Sequence, residues 1–173
     1  MRALAEAVGV RAPSLYKHFP DKGAVERALA ELGLRELVGA LDAALAAFAE
    51  PVPAFAAAYR AWAMAHPHLY ELVSASAPER RPPARVERAA SLAQPLLSAA
   101  GGDAALARAL WGFCHGLALL EIGGRFPRGA AADAAWTSGV AALSKTATGN
   151  EQPTDETRAT ADEGSPEWSQ STK

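Results

Sequence analysis

Apolar residues recur at helical spacing along most of this chain, and nearly every such run stops at a glycine or a proline. Leu4, Ala5 and Val8 form the first run, closed by Gly9, which tolerates the positive φ of a helix C-cap. Pro13 follows where a first helical turn accepts it, with Leu15, Tyr16 and Phe19 at helical spacing behind it. Pro20 breaks the chain, and Asp21 is placed to cap a long helix from about Lys22 to Phe48. Pro51 and Pro53 separate that helix from one through Phe55, Tyr59, Trp62 and Met64. His66 and Pro67 then lead into a short helix with Leu69, Tyr70, Leu72 and Val73. Residues 76–83 (SAPERRPP) read as an exposed basic loop. A helix through Val86, Leu92, Leu96 and Leu97 follows, with Pro95 as a kink point, and ends at Gly101 and Gly102. Asp103 can cap a helix from Ala104 to about Ile122, ended by Gly123 and Gly124. After a turn at 125–129, a last helix spans about Ala131 to Lys145.

Composition strengthens this all-α expectation. About a quarter of the chain is alanine, the best helix former, while β-branched residues are scarce and no stretch alternates as a strand would. From Thr146 onward apolar residues almost vanish, so residues 146–173 are expected to form a disordered tail. No run of about 18 apolar residues is free of charge, Gly or Pro, so no membrane span and no membrane partner are expected. The N-terminal apolar run is too short for a secretory signal. Cys114, the single cysteine, excludes an internal disulfide and fits a cytoplasmic location. The formal net charge of −2 carries no general argument for nucleic acid, which must come from local residues.

Such residues lie in LAEAVGVRAPSLYKHFPDKGAVERAL, residues 4–29. Short helix, tight turn, short helix is the plan that lays a second helix in a DNA major groove, and here that helix offers Arg11, Pro13, Ser14, Tyr16, Lys17 and His18, with Lys22 beyond it. Arg and Lys can neutralise phosphates, Tyr can bond a phosphate oxygen, and Pro can touch a thymine methyl. A small helical hairpin with a solvated polar face fits the same periodicity.

The run resembles the tetracycline-repressor (TetR) family of transcription regulators. It matches the family's pattern at Leu4, Ala5, Gly9, Val10, Leu15, Tyr16, His18, Phe19 and Lys22. The resemblance implies that Arg2, Ala12, Pro13, Tyr16, Lys17 and His18 face the groove or its phosphates, and that Lys22 binds a phosphate. Ala12 can read a base only by shape or methyl contact. In these regulators another helix precedes this motif and covers it, whereas this sequence starts at Met1 inside the motif's first helix. The expectation is a chain short of that helix, through a late-assigned start or a truncation. Each uncovered large side chain would cost about 1.5–3 kcal/mol, and DNA binding would be weak.

Residues 110–127, LWGFCHGLALLEIGGRFP, resemble the WHG-type C-terminal domain of many TetR-family members. Gly112, Gly116, Leu119 and Gly123 share one helix face, and small residues there suit close packing against a second copy, with Trp136 near the same interface. Trp111 and His115 share a neighbouring face. With Trp62 and Tyr70 they can line a ligand cavity or simply fill the core. Cys114 and His115 are adjacent and point about 100° apart, so they do not make a nucleophile and base. His66 and His68 lack a nearby third ligand, which argues against a metal site. Glu121 is odd in an apolar run, and its default place is an exposed helix edge. The basic residues of ERRPP, with Arg85 and Arg88, read as solvated surface.

Together these features predict an all-α chain with a helix-turn-helix unit over 1–30, a ligand-binding and dimerisation domain over 31–145, and a tail over 146–173. The implied partners are double-stranded DNA, a small-molecule effector and a second copy of the chain. No cofactor, metal or enzymatic activity is expected. A rival reading is a dimerisation-only protein without DNA binding of its own.

Overall fold

The computed structural model describes residues 6, 9, 11–75, 82–126 and 129–149. Among them lie seven α-helices and no strand: α1 (Ala12–His18), α2 (Lys22–Ala47), α3 (Pro51–Ala65), α4 (Pro67–Ala75), α5 (Pro82–Ala99), α6 (Ala104–Ile122) and α7 (Ala130–Gly149). The fold is all-α, as the sequence indicates. Arg2, the first apolar run of Leu4, Ala5 and Val8, residues 76–81 of the basic loop and residues 150–173 of the tail lie outside the described residues.

Local chemistry sets the boundaries. The Asp21 carboxylate accepts the Ala24 N–H at 2.6 Å and starts α2. Pro51 opens α3 at a position where its missing N–H is harmless. Asp103 Oδ1 accepts the N–H groups of Ala105 and Leu106 at 2.7 and 3.0 Å, satisfying two orphan donors of α6. Gly101 and Gly102 take positive φ after α5, and the Gly102 N–H reaches back to the Leu97 carbonyl at 2.8 Å. Two boundaries differ from expectation, the first at α5, which begins at Pro82 inside the segment read as loop. The second is at α7, which runs past Lys145 to Gly149, with Ala147 packed on the core and the Thr146 and Thr148 hydroxyls turned back onto carbonyls one turn earlier.

α3 is the centre of the bundle, packing on α2, α4, α5, α6 and α7. Its Phe55, Tyr59, Trp62 and Ala63 are buried with Leu37 and Leu41 of α2 and Leu110 and Cys114 of α6. α2 and α4 approach closely at Gly33, where an added Cβ would stand 2.7 Å from Leu69 Cγ. α6 and α7 approach still more closely at Gly139, whose missing side chain leaves room for the Phe113 ring. By length and composition α6 is apolar enough to cross a membrane, although Arg108, Gly112 and Gly116 interrupt its apolar run. In the fold its buried stripe of Leu106, Ala107, Leu110, Cys114 and Ala118 packs against other helices.

Candidate functional site

Two polar clusters and one cleft surround α6. The first cluster is a chain of neutral groups. Tyr59 Oη lies 3.0 Å from Tyr70 Oη, which lies 2.7 Å from His115 Nδ1. The Trp111 indole and the Ser74 hydroxyl stand beside this chain, where each favours the ionised form of its neighbouring phenol, Tyr59 and Tyr70. Burial pushes both phenols up and holds the His115 imidazole below its ordinary value, since each charged form would lose its hydration. His115 is therefore neutral at pH 7, and its Nδ1 shares a single proton with Tyr70 Oη. Trp111 stacks on this imidazole, with centroids 5.6 Å apart and planes at 21°.

The second cluster is ionic. Glu121 accepts two bonds from Arg60, from Nε at 3.0 Å and Nη2 at 2.7 Å, and a third from the Trp136 indole N–H at 3.0 Å. Arg60 Nη2 also meets Asp133 at 2.7 Å, and its guanidinium lies 5.4 Å from the Trp136 ring centroid. The bonds from Arg60 hold the Glu121 carboxyl below the usual range, and those to Glu121 raise Arg60. Glu121 thus ties α3, α6 and α7 together and does not occupy an idle helix edge.

The cleft lies between α5 and α6 and has a volume of about 480 Å³. Leu92, Leu96 and Leu97 line one side, and Ala107, Arg108 and Trp111 the other. Trp111 is 44% exposed, the one large aromatic of the four expected pocket residues left to solvent.

The four do converge, but as packing. Trp62 and Tyr70 are buried in the core, Trp62 against Tyr70 and His66, so they fill space that a ligand would need. The cleft borders Trp111 and none of the other three. Of the expected interface residues, Gly112 and Leu119 are exposed and Gly116 is half-buried. Among the described residues, a Cβ at Gly112 or Gly116 would meet nothing within 4 Å. Trp136 corrects its expectation. It is 6% exposed, held inside the protomer by Glu121, Arg60 and Phe113, so its ring is not on a surface a second copy would touch. Arg11, Pro13, Ser14, Tyr16, Lys17, His18 and Lys22 are all exposed, on α1 and at its flanks, while Ala12 sits on α1 with its side chain outside the described set. Lys22 pairs with Glu26 at 2.9 Å, one helical turn on.

Cys114 is buried and its thiol is pushed up to about 12 by desolvation, which makes it an inert core residue. His68 approaches Glu71 at 3.7 Å on an exposed edge. Among the described residues no three His, Cys, Asp or Glu side chains gather as a metal set. Sequence reasoning missed Arg60 altogether. The available signal was Glu121 itself, an acid inside an apolar run, for which a buried cation partner is the general remedy.

Comparison with known proteins agrees with this architecture. Residues 52–143, from the start of α3 into α7, match the model of the tetracyclin repressor-like C-terminal domain. No curated protein matches the chain. A solved structure of a protein with unknown function from Rhodococcus sp. RHA1 is similar, with a TM-score of 0.67 and 28% identity, over 84% of this chain and 82% of that one. With a match that takes in more than half its length, this chain belongs to the tetracyclin repressor-like (TetR) family of regulators.

Proposed function

We propose that this chain is a cytoplasmic, homodimeric repressor that binds a palindromic duplex DNA site and releases it when a small effector binds, and that it is not an enzyme. Membership of the TetR-like family, through residues 52–143, is the observation that carries this reading. Further support comes from α1, whose Arg11, Ser14, Tyr16, Lys17 and His18 are all exposed and offer donors for phosphates and base edges. α2 begins beside α1 at Lys22 and runs into the bundle against α3, α4 and α5. An effector that shifts those helices would tilt α2, and with it the spacing of two α1 helices across a dimer. Two successive major grooves demand a spacing of about 34–36 Å, so a small tilt suffices to weaken binding. For the dimer, the open face of α6 at Gly112, Gly116 and Leu119 permits close backbone approach.

Selection from random duplexes at low salt is expected to enrich two-fold symmetric sites. Tyr16→Phe and Lys22→Ala should weaken all duplexes alike, and Lys22→Ala should lower the log–log salt slope by about one. Pro13 and Lys17 changes should alter which site is preferred, each lost base contact costing about 1–3 kcal/mol. Failure to enrich any duplex over scrambled DNA sinks the DNA-binding reading. For the dimer, Gly116→Leu should give monomers in sedimentation, and a variant that stays dimeric with unchanged affinity overturns the interface.

A further inference from the structure

The α5–α6 cleft falls in the size range of small-molecule sites, and its walls are aliphatic except at two places. Trp111 offers an exposed aromatic surface whose orientation is already set by stacking on His115. A ligand laid on this ring therefore meets a preorganised surface. At the rim stands Arg108, an exposed guanidinium that meets the Ala104 carbonyl at 3.4 Å, a long and weak bond. No carboxylate lines the cleft among the described residues. Asp103, a few residues before Arg108, has its Oδ1 engaged in capping α6.

We infer that this cleft binds an apolar monocarboxylate, with its body between the α5 leucines and Trp111 and its carboxylate on Arg108. A planar fork of N–H donors matches a carboxylate in two parallel bonds, whereas an alcohol makes one uncharged bond and an ammonium is repelled. The inference deepens the effector reading above and rests on it for its regulatory meaning. Binding itself can be measured without DNA, so the two fail separately. If the carboxylate binds and DNA affinity does not respond, the regulatory reading fails and the site stands.

Calorimetric titration of the full chain with decanoate and with 2-naphthoate tests the site. Decanol, 2-naphthol and decyltrimethylammonium serve as uncharged and cationic counterparts. One carboxylate per chain is expected to bind, at least tenfold more tightly than its alcohol, and the margin should shrink at high salt because Arg108 is exposed. The stronger of the two carboxylates tells an acyl chain from an aromatic acid. Arg108→Gln, a surface change that leaves the core intact, should remove the preference for the anion. Ala93→Phe should fill the cleft and abolish binding of both acids, with an unchanged far-ultraviolet circular dichroism spectrum. Equal binding of acid and alcohol, full affinity in Arg108→Gln, or no binding at millimolar concentration overturns the inference. So does a dimer that dissociates in Ala93→Phe without any acid binding, which would assign the cleft to a second copy.

Discussion

Tyr59 and Arg60 are neighbours on α3, yet they anchor clusters built on opposite principles. Around Tyr59 every group is neutral: two phenols and an imidazole joined by hydrogen bonds, with an indole and a hydroxyl beside them. Around Arg60 the groups are ionic, with one guanidinium between two carboxylates. Each cluster has a different tryptophan against it, Trp111 stacked on His115 in one and Trp136 donating its indole N–H to Glu121 in the other. The difference follows from depth. Tyr59 and Tyr70 are almost fully buried, where a charge would lose its hydration, so neutral groups carry the bonding. Arg60 and Glu121 keep part of their surface in water, and Asp133 keeps most of its own, so the pair avoids the full desolvation penalty. One helix thereby joins α4 to α6 without charge on one side, and α6 to α7 with charge on the other.

Removing Glu121 should break this comparison most severely. Glu121→Leu leaves Arg60 without its principal partner and the Trp136 N–H without an acceptor, with an expected loss of about 2–3 kcal/mol in urea unfolding. Adding Arg60→Met should recover more than half of that loss, because a pair replaced by apolar groups carries no stranded charge. A double variant as unstable as the single one would show that the charges themselves, and not their mutual satisfaction, hold α3 to α6.

The neutral cluster should respond less. Tyr70→Phe removes the hydroxyl shared by Tyr59 and His115, and the expected loss is about 1–2 kcal/mol. At 1 M salt this loss should be unchanged, whereas that of Glu121→Leu should shrink, since screening acts on charges and hardly on dipoles.

Acid separates the clusters further. His115 sits below its ordinary value in the folded chain, so the unfolded chain takes up its proton first and stability falls as pH drops below about 6.5. Glu121 is also lowered, so its contribution is present above the unfolded carboxyl value near 4.5 and disappears as pH falls through the folded one. Tyr59 and Tyr70 are raised, so their contribution is complete below about pH 10 and declines above it. Urea midpoints against pH should show two acid steps and one alkaline step. His115→Gln should erase the first acid step and Glu121→Gln the second. A single acid step unaffected by His115→Gln would contradict the neutral assignment of that ring.

Much of the fold was legible because helix ends are written locally. Asp21, Asp103, Pro51, Gly101 and Gly102 announce themselves within a turn, and the Ala104–Ile122 boundaries follow from them. The clusters were less legible because their partners are distant. Arg60 and Glu121 stand 61 residues apart, and periodicity cannot show which faces meet. Trp136 looked like interface because small residues surround it, and it proved to be core because Glu121 needs its N–H. Gly139 passed unnoticed among the alanines of α7, although it admits Phe113. Gly112 and Gly116 stand out by their spacing, and among the described residues no atom lies within 4 Å of a side chain added at either.

The smallest expected effects give the sharpest contrast. Asp133 is the outermost member of the ionic cluster, bonded to Arg60 at 2.7 Å with its side chain 62% exposed. Ser74 is the corresponding outer member of the neutral chain, a half-buried hydroxyl beside Tyr70. Asp133→Asn should lose at most about 0.5–1 kcal/mol, because an exposed pair gains little over its hydrated charges. Ser74→Ala should lose a similar amount, about 0.5–1 kcal/mol for one hydrogen bond. Equal in size, the two should differ in salt dependence. The Asp133→Asn deficit should disappear between 0.05 and about 1 M sodium chloride, as the screening length falls below the size of the cluster, while the Ser74→Ala deficit stays constant. Matched urea titrations of both variants at the two salt concentrations provide the measurement. If both deficits fade together, the chain around Tyr59 carries charge after all, and the division of α3 into a neutral and an ionic side is wrong.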